Sequence, residues 1–151
     1  MYSYPTSRTE ALVKRISILS IAAMSLSASL SGCTTTSPDG LVRYKARRSV
    51  VSGERTKIGA AWNLNPDCTA KTVPDVRVRQ APKHGKVENL RELAFPSATD
   101  EYEKCNGTKV PAVVGYYTSK QGFVGKDRIV VRTSYKDGNV DEQVLDIAVV
   151  K

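Results

Sequence analysis

Ile129-Val130-Val131-Arg132-Thr133-Ser134-Tyr135-Lys136-Asp137-Gly138 is the stretch that decides the fold. Ile129, Val131, Thr133 and Tyr135 alternate with Val130, Arg132, Ser134 and Lys136, the two-residue period of a strand with one face buried. Asp137-Gly138 is a turn dipeptide that accepts positive φ, and beyond it Leu145, Ile147 and Val149 form a second inward row within residues 144–150. A strand, a tight turn and a strand predict a hairpin.

Working outward, the same logic predicts strands at residues 58–62, 76–79 and 113–118, with weaker ones at 42–45, 49–52 and 86–89. Turns are expected at Pro66-Asp67, residues 82–85, Asn106-Gly107 and residues 122–125. No stretch sustains a helical period with caps; a single helical turn is expected at 90–95. Seven to eight short strands separated by turns predict an all-β, antiparallel β-sandwich over residues 41–151.

The amino-terminal third is of another kind. Arg8, Lys14 and Arg15 precede an apolar run rich in Ile, Leu and Ala up to Leu30, the layout of an export signal. A transmembrane helix is the competing reading, but a span needs about 20 mostly apolar residues, and here Ser17, Ser20, Ser25, Ser27 and Ser29 interrupt a shorter run. The run closes on Leu30-Ser31-Gly32-Cys33, which resembles the lipobox of bacterial lipoproteins. The resemblance implies cleavage of residues 1–32, with Cys33 as the lipidated first residue carrying a thioether diacylglycerol and an acylated amine. More than one acyl chain makes such anchoring stable. Residues 33–40, Cys-Thr-Thr-Thr-Ser-Pro-Asp-Gly, then read as a flexible tether. Thr34, where Asp would retain an enteric lipoprotein at the inner membrane, implies an outer-membrane position facing the periplasm.

Cleavage leaves 119 residues, enough for one domain. Three of the 23 basic and one of the 15 acidic residues fall in 1–32, so the mature chain keeps 20 against 14, a net charge of +6. With Cys33 used, Cys68 and Cys105 remain as a pair in an oxidising compartment, which predicts a disulfide. Two free buried thiols are the alternative. A metal site would need more ligands than one His and two distant Cys supply.

A second resemblance rests on Ala81-Pro82-Lys83-His84-Gly85-Lys86-Val87, Tyr116-Tyr117-Thr118, Gly122-Phe123-Val124-Gly125-Lys126-Asp127 and Asp137-Gly138 with the strand that follows. Together these look like the bacterial Ig-like, cadherin-like domains over residues 48–150 and imply an Ig-like sandwich. The chain departs from that pattern at Ser119, where the family has Pro, and in a longer insertion over residues 90–111 that carries Cys105. Asp127 is expected to accept hydrogen bonds from loop amides, with a calcium ligand as the alternative; the acidic clusters used by calcium-binding cadherins are missing.

Candidates for chemistry are few. His84, the single histidine, lies in a turn without the partners a general base needs. No nucleophile elbow, metal-ligand spacing or phosphate-cradling loop accompanies it, so no catalytic residue, cofactor or metal is expected. Arg43, Lys45, Arg47 and Arg48 form a basic patch that could hold lipid headgroups, lipopolysaccharide phosphates or the acidic polymers of peptidoglycan. The plainer reading is a solvated face, since Glu54, Asp75 and Glu88 intersperse the charges. Nucleic acid is not expected outside the cytoplasm. Trp62 is expected against the Cys68 bridge, and one of Tyr116 and Tyr117 must point outward. The functional expectation is a lipid-anchored, non-catalytic binding or structural module for envelope components. The alternative is an inhibitor of a periplasmic protease or wall hydrolase acting through residues 90–111.

Overall fold

A computed structural model describes residues 35–36 and 40–151; Cys33 and the expected leader, 1–32, lie outside the described residues. Among the described residues ten strands form: β1 (Thr35–Thr36), β2 (Val42–Val51), β3 (Arg55–Ala61), β4 (Asn63–Leu64), β5 (Ala70–Thr72), β6 (Asp75–Gln80), β7 (Gly85–Ala94), β8 (Val110–Ser119), β9 (Gly125–Ser134) and β10 (Val140–Val150). They make a five-stranded sheet in the order β1-β2-β10-β9-β6, a three-stranded sheet in the order β3-β8-β7, and a small β4-β5 ribbon. The expected all-β sandwich is therefore the fold.

The hairpin at its centre follows the sequence pattern. β9 and β10 pair antiparallel with Ile129 opposite Leu145, so the two apolar rows share one face. Lys136 (φ 59°) and Gly138 (φ 94°) take the left-handed backbone of the turn, and the Tyr135 N–H donates to the Asn139 carbonyl at 3.0 Å. Val50, Ile129, Val131, Leu145, Ile147 and Val149 of the large sheet meet Ile58 and Tyr117 of the small one in the main core.

Four differences from the sequence expectations have local causes. Residues 42–45 and 49–52 are not two strands but parts of β2, whose full length pairs with β10. That pairing is parallel, in an otherwise antiparallel sandwich, and at the 52–54 turn the chain leaves β2 for β3 in the other sheet instead of returning beside it as a hairpin. Residues 90–94 are the end of β7 rather than a helical turn: pairing with β8, from Leu90–Val114 to Ala94–Val110, fixes an extended backbone that local propensity does not. The helical turn comes later, as a 3-10 helix at Asp100–Gly107. Within the expected tether, Thr35 and Thr36 are paired with Arg43 and Val42, so that part is strand.

β8 is buried on both faces. Val113 and Tyr117 look toward the large sheet, while Val110, Ala112 and Val114 look away from it and are almost fully covered. Part of that cover is a second cluster of Leu64, Cys105 and Val110, with Trp62, Cys68 and Tyr102 packed around it. Cys68 and Cys105 are joined in a disulfide, as expected. Trp62 packs beside the bridge, but on the outer flank of the small sheet rather than between the sheets.

The bridge closes a loop of sequence separation 37, for which chain entropy predicts about 4 kcal/mol of stabilisation. Replacing both cysteines with Ser should lower the free energy of unfolding in urea by roughly 2–5 kcal/mol. Quenched amide exchange should rise first around Leu64 and Val110, with the Ile129 and Leu145 amides last to exchange.

Candidate functional site

Strand register turns scattered basic residues into one surface. On the outward face of the large sheet, Arg43, Glu142, Arg132 and Arg77 lie in a row across β2, β10, β9 and β6. A second row is Arg47, Asp146 and Arg128, and a third is Ser49, Ala148 and Lys126. Cations outnumber carboxylates in every one of these rows, and the row through Ala148 holds no acid at all.

The carboxylates on this face are already engaged. Glu142 accepts from Arg132 at 2.8 Å and from Arg43 at 3.3 Å. The Arg132 bond holds its pKa below the ordinary carboxylate value, against an upward push from burial and with help from Arg43. Asp146 takes Arg128 at 2.7 Å, and Asp75 takes Arg77 at 2.9 Å. No ion pair among the described residues is made by Lys45, Arg47, Lys83 or Lys126.

Three of these four, Arg47, Lys83 and Lys126, line an open groove of about 730 Å³, together with Arg48, His84 and Arg128. Of the four residues expected as a patch, Arg43, Lys45 and Arg47 share the outward side of β2. Arg48 has the opposite parity, and its guanidinium donates to the Ile58 carbonyl at 3.1 Å and the Arg47 carbonyl at 2.9 Å. The linear patch is therefore split between two faces. Arg47 and Arg48 nonetheless both line the groove, Arg43 and Lys45 do not, and Lys83, Lys126 and Arg128 complete it. Lys126, Arg128 and Arg132 alternate with Asp127, Ile129 and Val131, so the outward row of β9 was readable as basic; that it lies one strand from β2, across β10, was not, because the partner order of strands is not encoded locally.

One wall of the groove is fixed by Asp127, which is 7 % exposed. Its carboxylate accepts from the Lys83 N–H (2.9 Å), the His84 N–H (2.8 Å), the Arg128 N–H (2.9 Å) and the Tyr117 hydroxyl (3.0 Å). Burial pushes the Asp127 pKa up, but these donors together outweigh it and the value lies below that of an ordinary aspartate. Burial, and then the bond to Asp127, raises the Tyr117 phenol, which stays protonated as the donor. The His84 ring stacks on Phe123 at 4.2 Å with a 7° tilt. Asp127 is thus committed to holding the 81–84 turn, as the sequence suggested.

On the other sheet, Tyr117 is buried and Tyr116 faces outward beneath the Arg55 guanidinium, 3.4 Å from the ring centroid, with its hydroxyl on Glu92. Among the described residues no group of three His, Cys, Asp or Glu is placed to hold a metal. The chain matches no family model and no curated protein.

Asp127→Asn should destabilise the domain by about 2–4 kcal/mol at pH 6, since it turns a donor toward amides that need an acceptor. The depressed pKa makes the Asp127 contribution complete above about pH 4 and lost as pH falls through the lower folded value. Urea unfolding of both proteins from pH 6 down to pH 2 should show the difference between them shrinking with acid; a constant difference would refute this role.

Proposed function

We propose that this chain is a lipid-anchored lipoprotein of the cell envelope, positioned at the outer membrane facing the periplasm, and that its sandwich is a non-catalytic, Ig-like module for binding anionic envelope surfaces. The observation that carries the reading is the outward face of the large sheet with the adjoining 81–84 turn, where Arg47, Lys83 and Lys126 surround one groove and make no ion pair among the described residues. Leu30-Ser31-Gly32-Cys33 supports the anchor, and the Cys68–Cys105 disulfide supports an oxidising compartment.

The direction of the chain supports the same reading. β1 runs antiparallel to β2 with Thr35 beside Arg43, so the backbone enters β1 from the Lys45 and Arg47 end. Cys33 is two residues upstream, within about 7 Å of chain. Arg47 is four residues along β2 from Arg43, or about 13 Å. An acyl chain at Cys33 and the basic face would therefore act on the same phosphate-bearing surface, each strengthening a contact that is marginal alone.

Two measurements test this. Cys33→Ser should release the protein from the membrane fraction, and intact-mass analysis should show the loss of the acyl groups. In vesicle flotation at 0.1 M salt, combining Arg47→Gln, Lys83→Gln and Lys126→Gln should weaken binding of the unlipidated domain to vesicles with phosphatidylglycerol by about 100-fold, at about 1 kcal/mol per cation. The charge-matched set Lys57→Gln, Lys104→Gln and Lys109→Gln, away from the groove, should change it less than fivefold. Equal losses from the two sets would sink the groove as the site; retention on isolated peptidoglycan with no vesicle binding would move the partner to the wall.

A further inference from the structure

The two sheets do not close on each other everywhere. Ile58, Gly59 and Ala61 of β3 and Val113 and Gly115 of β8 face Val131, Thr133, Gln143 and Leu145 across a cavity of about 130 Å³. Register explains the space: a bulge between Lys57 and Gly59 places Gly59 directly opposite Gly115, so two adjacent strands lack side chains at the same level. A Cβ built on Gly59 meets nothing within 4 Å, and neither glycine needs positive φ. These glycines therefore serve no turn: Gly59 leaves open room, while at Gly115 a Cβ would stand 3.3 Å from Asn89 Oδ1 and 3.5 Å from Ile58, so its absence lets those side chains line the cavity.

The room is shaped for an amphiphile. Its floor is Ile58, Ala61, Val113, Val131 and Leu145, and at one side stand Tyr44, Tyr135 and Asp141. Tyr44 is 44 % exposed, which marks where the cavity opens. Asp141 accepts the Tyr135 hydroxyl at 2.8 Å and meets no cation among the described residues. Its neighbours in sequence and on the sheet do otherwise: Glu142, Asp146, Asp137 and Asp75 each hold an Arg or Lys. In a chain with surplus basic residues, this carboxylate at a cavity mouth has no cation among the described residues.

We propose that the inter-sheet cavity binds a small organic cation, an ammonium on an apolar stem of about six to eight heavy atoms, with the stem over Gly59 and Gly115 and the charge at Asp141 between Tyr44 and Tyr135. The size follows from the volume, since an apolar cavity of about 150 Å³ holds a benzene ring. Two tyrosine rings and a carboxylate are the donor set that recognises an ammonium by ion pairing and cation–π attraction. Phosphate or carboxylate ligands are excluded from this end by Asp141, so the cavity and the basic groove take ligands of opposite sign.

The probe is benzylamine, titrated into the purified protein at pH 7 and followed by amide NMR. Saturable shifts confined to residues around Gly59, Gly115 and Asp141, with a Kd of about 1 mM, are expected for a ligand of this size. Benzyl alcohol should bind at least fivefold more weakly, and Asp141→Asn should remove that preference while leaving the alcohol unchanged. Gly59→Val should abolish binding of both and raise the Tm by filling the space, with Gly59→Ala as the milder variant should the larger side chain perturb folding. A capped lysine amide run alongside assigns the source: tighter binding than benzylamine points to a partner's lysine side chain, weaker binding to a free amine. Equal affinity for amine and alcohol, no effect of Asp141→Asn, or no saturation by 20 mM overturns the proposal.

Discussion

One buried carboxylate ties the architecture together. Asp127 sits on β9 of the large sheet, yet its donors come from the 81–84 turn that carries the chain from β6 to β7, from its own strand, and from Tyr117 in the middle of the small sheet. A single acceptor group thus fixes how the two sheets meet at this end. Gly85 is its complement: a Cβ there would fall 2.5 Å from the Tyr117 ring and 2.6 Å from the Thr118 carbonyl, so no other residue lets the turn approach β8 this closely. Burying a charge with four donors is tolerable where burying it with one is not. The groove inherits this rigidity, because Lys83 and His84 on one side and Lys126 and Arg128 on the other flank the residue that pins them.

The rest of the molecule solves a different problem, which is that β8 has too much apolar surface for one interface. A strand with Val110, Ala112 and Val114 on the face opposite Tyr117 must be covered twice. The second cover is built from the β4-β5 ribbon and the 3-10 helix, segments with few apolar residues of their own: Leu64, Trp62 and Tyr102 carry most of it. Such a thin layer gains little from burial alone, and the Cys68–Cys105 bond joins its two halves. Cys68 takes a φ of 68°, an unusual conformation for a residue with a side chain, and the Cys68 N–H bonded to the Asn65 carbonyl holds the turn that imposes it.

What the sequence made legible divides along the same line. The β9-β10 hairpin was readable because its alternation and its turn agree, and the disulfide because only two cysteines remained for it once Cys33 was assigned. Residues 90–94 were not, since Leu90 and Leu93 at helical spacing say less than the ten-residue register with β8. The groove was half legible. Arg47 and Arg48 of the expected patch line it, but Arg43 and Lys45 do not, and Lys126 arrives from a strand almost eighty residues distant. Local pattern gives the face of a strand; it does not give the neighbour.

The charge on the large sheet carries an internal cost that bears on its purpose. Arg77 and Arg132 are directly opposed across β6 and β9, and like charges in that position repel. Glu142 relieves part of the strain by accepting from two arginines, and Asp75 draws Arg77 aside. Among the described residues no such relief reaches Arg47 or Lys126: Arg47 is level with Asp146, which is taken by Arg128, and Lys126 is level with Ala148, which has no charge to offer. Solubility alone would be served as well by interspersed signs, which the small sheet has in Arg55, Glu88 and Lys86. Two cations without a carboxylate partner among the described residues, lining one open groove, are what the proposed binding of a phosphate or carboxylate would neutralise.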